Sequence, residues 1–134
     1  MPFVKTEERI KVDQRDIVKY IEEQSGRQLD SVAEAITKLG IEYLQGMAFD
    51  AIAAATAPAV LAIAVNVYGT IGTGLSLGYI ADHIAASLDI KEARNALYMY
   101  KTYDVYMVVK TSKYYSENGN NDSGITITTE FDYE

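Results

Sequence analysis

The chain has one histidine, His83. It stands beside Asp82, with Ser76 and Ser87 a few residues to either side. Serine, histidine and aspartate are the parts of a nucleophilic triad, in which the imidazole takes the hydroxyl proton and the carboxylate holds the ring. Nothing in the spacing sets these three in reach of one another. A lone histidine cannot build a metal site, and there is no cysteine to help it. The plain reading of His83 is a polar residue at a helix border. A second reading is a pH sensor beside an apolar segment. GTGLSLG, residues 72–78, has the look of a phosphate-cradling loop, but its spacing is GxGxxxG. No strand-helix-strand unit with a ribose-binding acid follows it. The carboxylates are spread along helix faces and form no acid/base couple. The expectation is therefore a protein that is not an enzyme, with no cofactor and no metal.

The elements around His83 carry the stronger signal. Residues 51–81, AIAAATAPAVLAIAVNVYGTIGTGLSLGYIA, contain no formal charge, although the chain is otherwise rich in charge and carries a net −7. A helix exposed to water keeps a charged face. This stretch has none, so burial in protein or in lipid is expected. Pro58 disfavours helix at Ala57 and removes a backbone donor. Asn66, Gly69, Gly72 and Gly74 loosen the backbone further on. The expectation is two short helices joined by a turn near residues 68–72, an apolar hairpin spanning residues 51–88. Gly74 and Gly78 form a GxxxG, and Ala51, Ala55 and Ala59 form a ladder of small residues. Both allow close helix contact in lipid, and both allow tight packing in a protein core. The residues singled out for a membrane or oligomer segment are Ala51, Ala55, Ala59, Leu61, Ile63, Val65, Gly74, Gly78 and Ile80. Asp50, Asp82 and His83 flank it as pH-sensitive candidates.

The length, 134 residues, fits one domain. Asp13 or Asp16 caps an amphipathic helix over 13–24, with Ile17, Val18 and Ile21 on one face. Asp30 or Ser31 caps a second over 31–47, with Gly40 its weak point. Asp89 and Glu92 have capping-box spacing and open a helix over 90–100. Residues 103–115 are β-branched and aromatic. Residues 125–133 alternate, with Ile125, Ile127, Thr129, Phe131 and Tyr133 on one face. The polar ENGNNDSG between them makes an antiparallel hairpin over 103–133. Tyr98, Tyr100, Tyr103, Tyr106, Tyr114 and Tyr115 read as half-buried strand packing, an oligomer interface or a lipid-border belt. The fold expected is α+β: a mainly helical bundle around a central apolar hairpin, with a C-terminal antiparallel β-hairpin.

The acidic balance argues against nucleic acid, which needs a basic patch. MPFVKTEERI lacks the basic and apolar regions of a signal peptide. Export would need another route, or the chain is part of a larger toxin or virion protein. Residues 59–90 run as an apolar segment, a Gly-rich break, a second apolar segment, Asp82, and the helix opening Leu88-Asp89-Ile90. This pattern resembles the hydrophobic hairpin of pore-forming bacteriocins and colicin-like toxin domains. The resemblance implies a soluble bundle that hides the hairpin and inserts it into a membrane, with lipid as the partner. The alternative is a soluble interaction protein, an obligate homo-oligomer joined through the small-residue helices and the β-hairpin. The sequence identifies no immunity or partner protein.

Overall fold

The computed structural model describes residues 3–69, 75–114 and 125–134. The Asp13 carboxylate accepts the amide of Arg15 at 2.9 Å and starts helix α1 (Gln14–Ser25). Gly26, at φ 73°, takes the left-handed conformation that stops it. Ile17, Val18 and Ile21 are its buried residues, the three that the spacing puts on one face. The Ser31 hydroxyl accepts the amide of Glu34 at 3.0 Å and caps α2 (Val32–Leu39).

Gly40 corrects the expectation of one helix over 31–47. Its φ of 86° turns the chain, so α2 stops there and residues 41–47 belong to the next helix. That helix, α3 (Ile41–Tyr68), runs 28 residues with Pro58 inside it. The expected break at Pro58 does not occur. Proline removes the bond to the carbonyl of Ala54, four residues back, and its ring crowds that carbonyl, but Ala54 and Pro58 are both exposed and the carbonyl can tilt outward. Water can satisfy that carbonyl while packing on the opposite face keeps the helix straight enough to continue. The apolar hairpin therefore pairs one long helix with one short one, α4 (Leu77–Ser87), which Ser76 caps. Helix α5 (Ile90–Met99) follows, with the Asp89 carboxylate accepting the amide of Glu92 at 3.4 Å.

Strands β2 (Val105–Tyr114) and β3 (Thr126–Tyr133) form the expected antiparallel hairpin. The residues of its polar turn, 117–124, lie outside the described residues. The hairpin does not stand alone. β1 (Phe3–Lys11) pairs antiparallel with β2, so the sheet has three strands in the order β1-β2-β3. Met107 in the central strand lies opposite Ile10 on one side and Phe131 on the other.

The sheet covers the helices with one face only. Val105, Met107 and Val109 point inward and are buried, as are Ile125, just before the third strand, and Ile127 within it. Each large apolar side chain fully buried here contributes about 1.5–3 kcal/mol. The outward face carries cross-strand ion pairs. Lys110 lies 3.5 Å from Glu7 and 3.8 Å from Glu130. Arg9 reaches across the middle strand to Asp132 and Glu134, each at 3.0 Å, and its guanidinium sits 3.6 Å above the Tyr106 ring.

Candidate interaction surface

Helix α3 is the axis of the molecule, touching the other four helices and strands β1 and β2. Its core face changes along its length. Leu44, Ala48 and Ala51, spaced by four and three, are buried in the first half. Ala53, Ala57, Val60 and Ala64, spaced by four, three and four, are buried from the middle onward. These stripes lie on different sides of the helix. Continued at helical spacing, the first stripe passes through Ala55, Pro58 and Ala62, and there it comes out to solvent. Ala54, Pro58, Ala59, Ala62, Asn66 and Val67 are exposed. The second half of α3 thus shows solvent a strip with no charge on it.

What borders this strip is charged. A groove of about 320 Å³ separates Ala54, Ala55 and Pro58 from Asp16, Lys19 and Glu23 of α1. Tyr20 also lines it, and burial, then the Asp50 carboxylate, push the Tyr20 phenol above its ordinary range.

The singled-out residues divide among three environments. Ala51 and Ile80 are in the core, at 1 % and 0 % exposure. Ala55, Leu61, Ile63 and Val65 are half-buried. Ala59 and Gly78 are exposed, as are Asp50 and Asp82. The ladder Ala51, Ala55, Ala59 is therefore not one packing face: it climbs from core to solvent. Gly74 lies outside the described residues. A Cβ placed on Gly78 would meet nothing within 4 Å, so Gly78 makes no close helix contact among the described residues.

The serine, histidine and aspartate near residue 83 do not assemble. The Ser76 hydroxyl accepts the amide of Tyr79 at 3.1 Å as a helix cap. The Ser87 hydroxyl is bonded to the Ile84 carbonyl and to the Thr129 hydroxyl, each at 2.7 Å. His83 donates from Nδ1 to the Tyr79 carbonyl at 2.8 Å, and its ring stacks on Tyr79 at 4.0 Å between centroids. All three are occupied in building α4. The tyrosines described take separate environments, and Tyr115 lies outside the described residues. Tyr98 and Tyr103 are exposed, Tyr106 lies under Arg9, and the Tyr100 hydroxyl donates to the Val12 carbonyl at 2.7 Å.

One polar cluster was not legible from spacing. The Tyr68 hydroxyl, at the end of α3, is 3.1 Å from the Val4 carbonyl and 2.9 Å from the Thr111 hydroxyl, which also meets the Thr6 hydroxyl. A carbonyl only accepts, so the phenol proton goes to Val4. Thr111 then donates to Tyr68, and Thr6 to Thr111. The chain of hydroxyls leaves β1 at Thr6, crosses β2 and α3, and returns to β1 at Val4. No motif announces it, because the partners come together only when the sheet forms.

No family model, curated protein or solved structure matches the chain.

Proposed function

We propose that this is a non-enzymatic, membrane-active protein, a pore-forming toxin or bacteriocin-like domain whose inserting element is the α3–α4 hairpin. One observation carries the reading: residues 51–68 are a continuous uncharged helix with one side already bare. At 1.5 Å per residue such a stretch is about 27 Å long, close to the hydrocarbon thickness of a bilayer at about 30 Å. Its length and composition pass as a membrane span, although a core helix passes the same test. The buried Thr56 hydroxyl donates to the Ile52 carbonyl of its own helix at 2.8 Å, so that bond would survive transfer to lipid. Apolar atoms lose little on exchanging a protein core for acyl chains. Small electrostatic biases can then decide the balance.

The net charge of −7 opposes approach to anionic lipid at neutral pH. Acid neutralises carboxylates, so insertion is expected to be stronger at pH 5 than at pH 7. Flotation with anionic liposomes at the two pH values, with dye release read in the same samples, tests this. Protein that neither floats nor releases dye at either pH would sink the proposal.

The second reading is a homo-oligomer. Ala54, Pro58 and Ala62 lie in a row on the open side, where a helix of a second copy could approach closely. The two edge strands offer a further route to self-association. Sedimentation at micromolar concentration in the absence of lipid separates this from the first reading.

A further inference from the structure

We infer that Tyr68 is a latch that keeps the uncharged half of α3 on the sheet, and that β1 is the strap it closes on. This inference rests on the membrane-active reading for its purpose, though not for its test. Residues 51–68 contain three polar side chains: Thr56, Asn66 and Tyr68. Thr56 is bonded within its own helix, and Asn66 is exposed. Among the described residues, Tyr68 alone sends side-chain hydrogen bonds from this half of α3 to another element. The rest of the helix is held by contacts such as those of Val60 and Ala64, which any apolar surroundings can replace.

The latch is not replaceable in that way. Withdrawing the phenol takes a donor from the Val4 carbonyl and leaves the Thr111 hydroxyl with its bond to Thr6 but without its bond to Tyr68, at a position 3 % exposed, where water cannot replace the lost partner. The reverse holds as well. Val4 and Thr6 both belong to β1, an edge strand, so lifting β1 removes the acceptor at one end of the hydroxyl chain and the donor at the other. Release of α3 is thereby coupled to the hold of a strand at the sheet edge. Apolar packing supplies most of the attachment, and the hydroxyl chain sets the threshold at which it gives way.

The test uses the full chain and Tyr68→Phe, with Thr111→Val as a second route to the same loss and Tyr100→Phe as the control. Tyr100 also donates to a carbonyl next to β1, but from beyond α5. Amide exchange is followed without lipid. The expected result is that residues 60–68 exchange about 5- to 30-fold faster in Tyr68→Phe and in Thr111→Val, the factor that one or two lost bonds produce, while α5 stays within about twofold. Tyr100→Phe leaves residues 60–68 within about twofold as well. In phosphatidylglycerol–phosphatidylcholine vesicles at pH 5, dye release by Tyr68→Phe is faster by a similar factor. Unchanged exchange in residues 60–68, or equal acceleration of every amide, overturns the latch. If the local acceleration is found and no variant releases dye, the latch stands and the membrane-active reading falls.

Discussion

The outer face of the sheet and the outer strip of α3 are both turned to solvent with no layer over them. They are built in opposite ways. The sheet face alternates Glu7, Lys110 and Glu130 in one row, and Arg9 with Asp132 and Glu134 in another. Such pairs stabilise little, but they make the face unwelcoming to apolar surfaces and to other strands. The strip of α3 from Ala54 to Val67 has no charge at all. Under the proposed function the bare strip is the surface that meets lipid or a second copy, the kind of contact that exposed apolar patches serve.

Four changes break or sharpen that contrast, the largest first. Val60→Asp puts a carboxylate on the inner side of α3, at a position 1 % exposed. It is expected to cost more than about 4 kcal/mol and to unfold the protein in a urea titration, because the charge has no partner there. The next change compares the charged face with the joint beneath it. Burial, ahead of the nearby Asp13 and Asp16 carboxylates, raises the Tyr100 phenol above its usual value. The folded form therefore keeps a proton that the unfolded form gives up. Stability from this group is complete below about pH 10 and falls above it, by about 1.4 kcal/mol per pH unit. Tyr100→Phe should flatten this alkaline loss; an unaltered slope would assign it to other groups.

The two smaller changes act on the surfaces themselves. Ala62→Glu, two residues from Val60 but on the bare side, is expected to move stability by no more than about 0.5 kcal/mol. Under the proposed function it should abolish dye release at pH 5, and full release by a folded Ala62→Glu protein would refute the assignment of this strip. Lys110→Ala on the sheet face should also stay within about 0.5 kcal/mol, and it should leave flotation unaltered. If it does more to flotation than Ala62→Glu, the two surfaces have been assigned the wrong way round.

Local signals in the sequence carried most of the helices and the hairpin. Of the paired candidates Asp13 and Ser31 are the caps, Asp89 caps α5 as its spacing says, and the alternation from Ile125 to Phe131 survives as inward and outward faces. Two features were hidden for physical reasons. β1 reads FVKTEERIK, with Lys5, Glu7, Glu8, Arg9 and Lys11 in nine residues. An edge strand with one wet face needs only Ile10 and its neighbours to cover the core, so its charge masks its period. Pro58 looked like a helix breaker because local rules count the lost hydrogen bond. They do not count the solvent that receives the freed carbonyl, nor the packing of Ala57 and Val60 on the other side. The bare strip was legible as a lack of charge. Which of its residues face out was not, since the core face of α3 shifts midway, and no period in the sequence marks the shift.

Thr6 and Thr111 touch in the finished sheet although 105 residues separate them. A ribosome adding about 5–20 residues per second needs roughly 5–20 s to deliver the second after the first. All of α3 emerges inside that interval, before β2 exists. From Tyr68 to Thr111, about 43 residues and roughly 2–9 s at that rate, the uncharged stretch 51–68 has neither the sheet to lie on nor Thr111 to hold its tyrosine. The order of synthesis therefore leaves this helix to the parts of the fold already made, α1 and α2, until the sheet arrives.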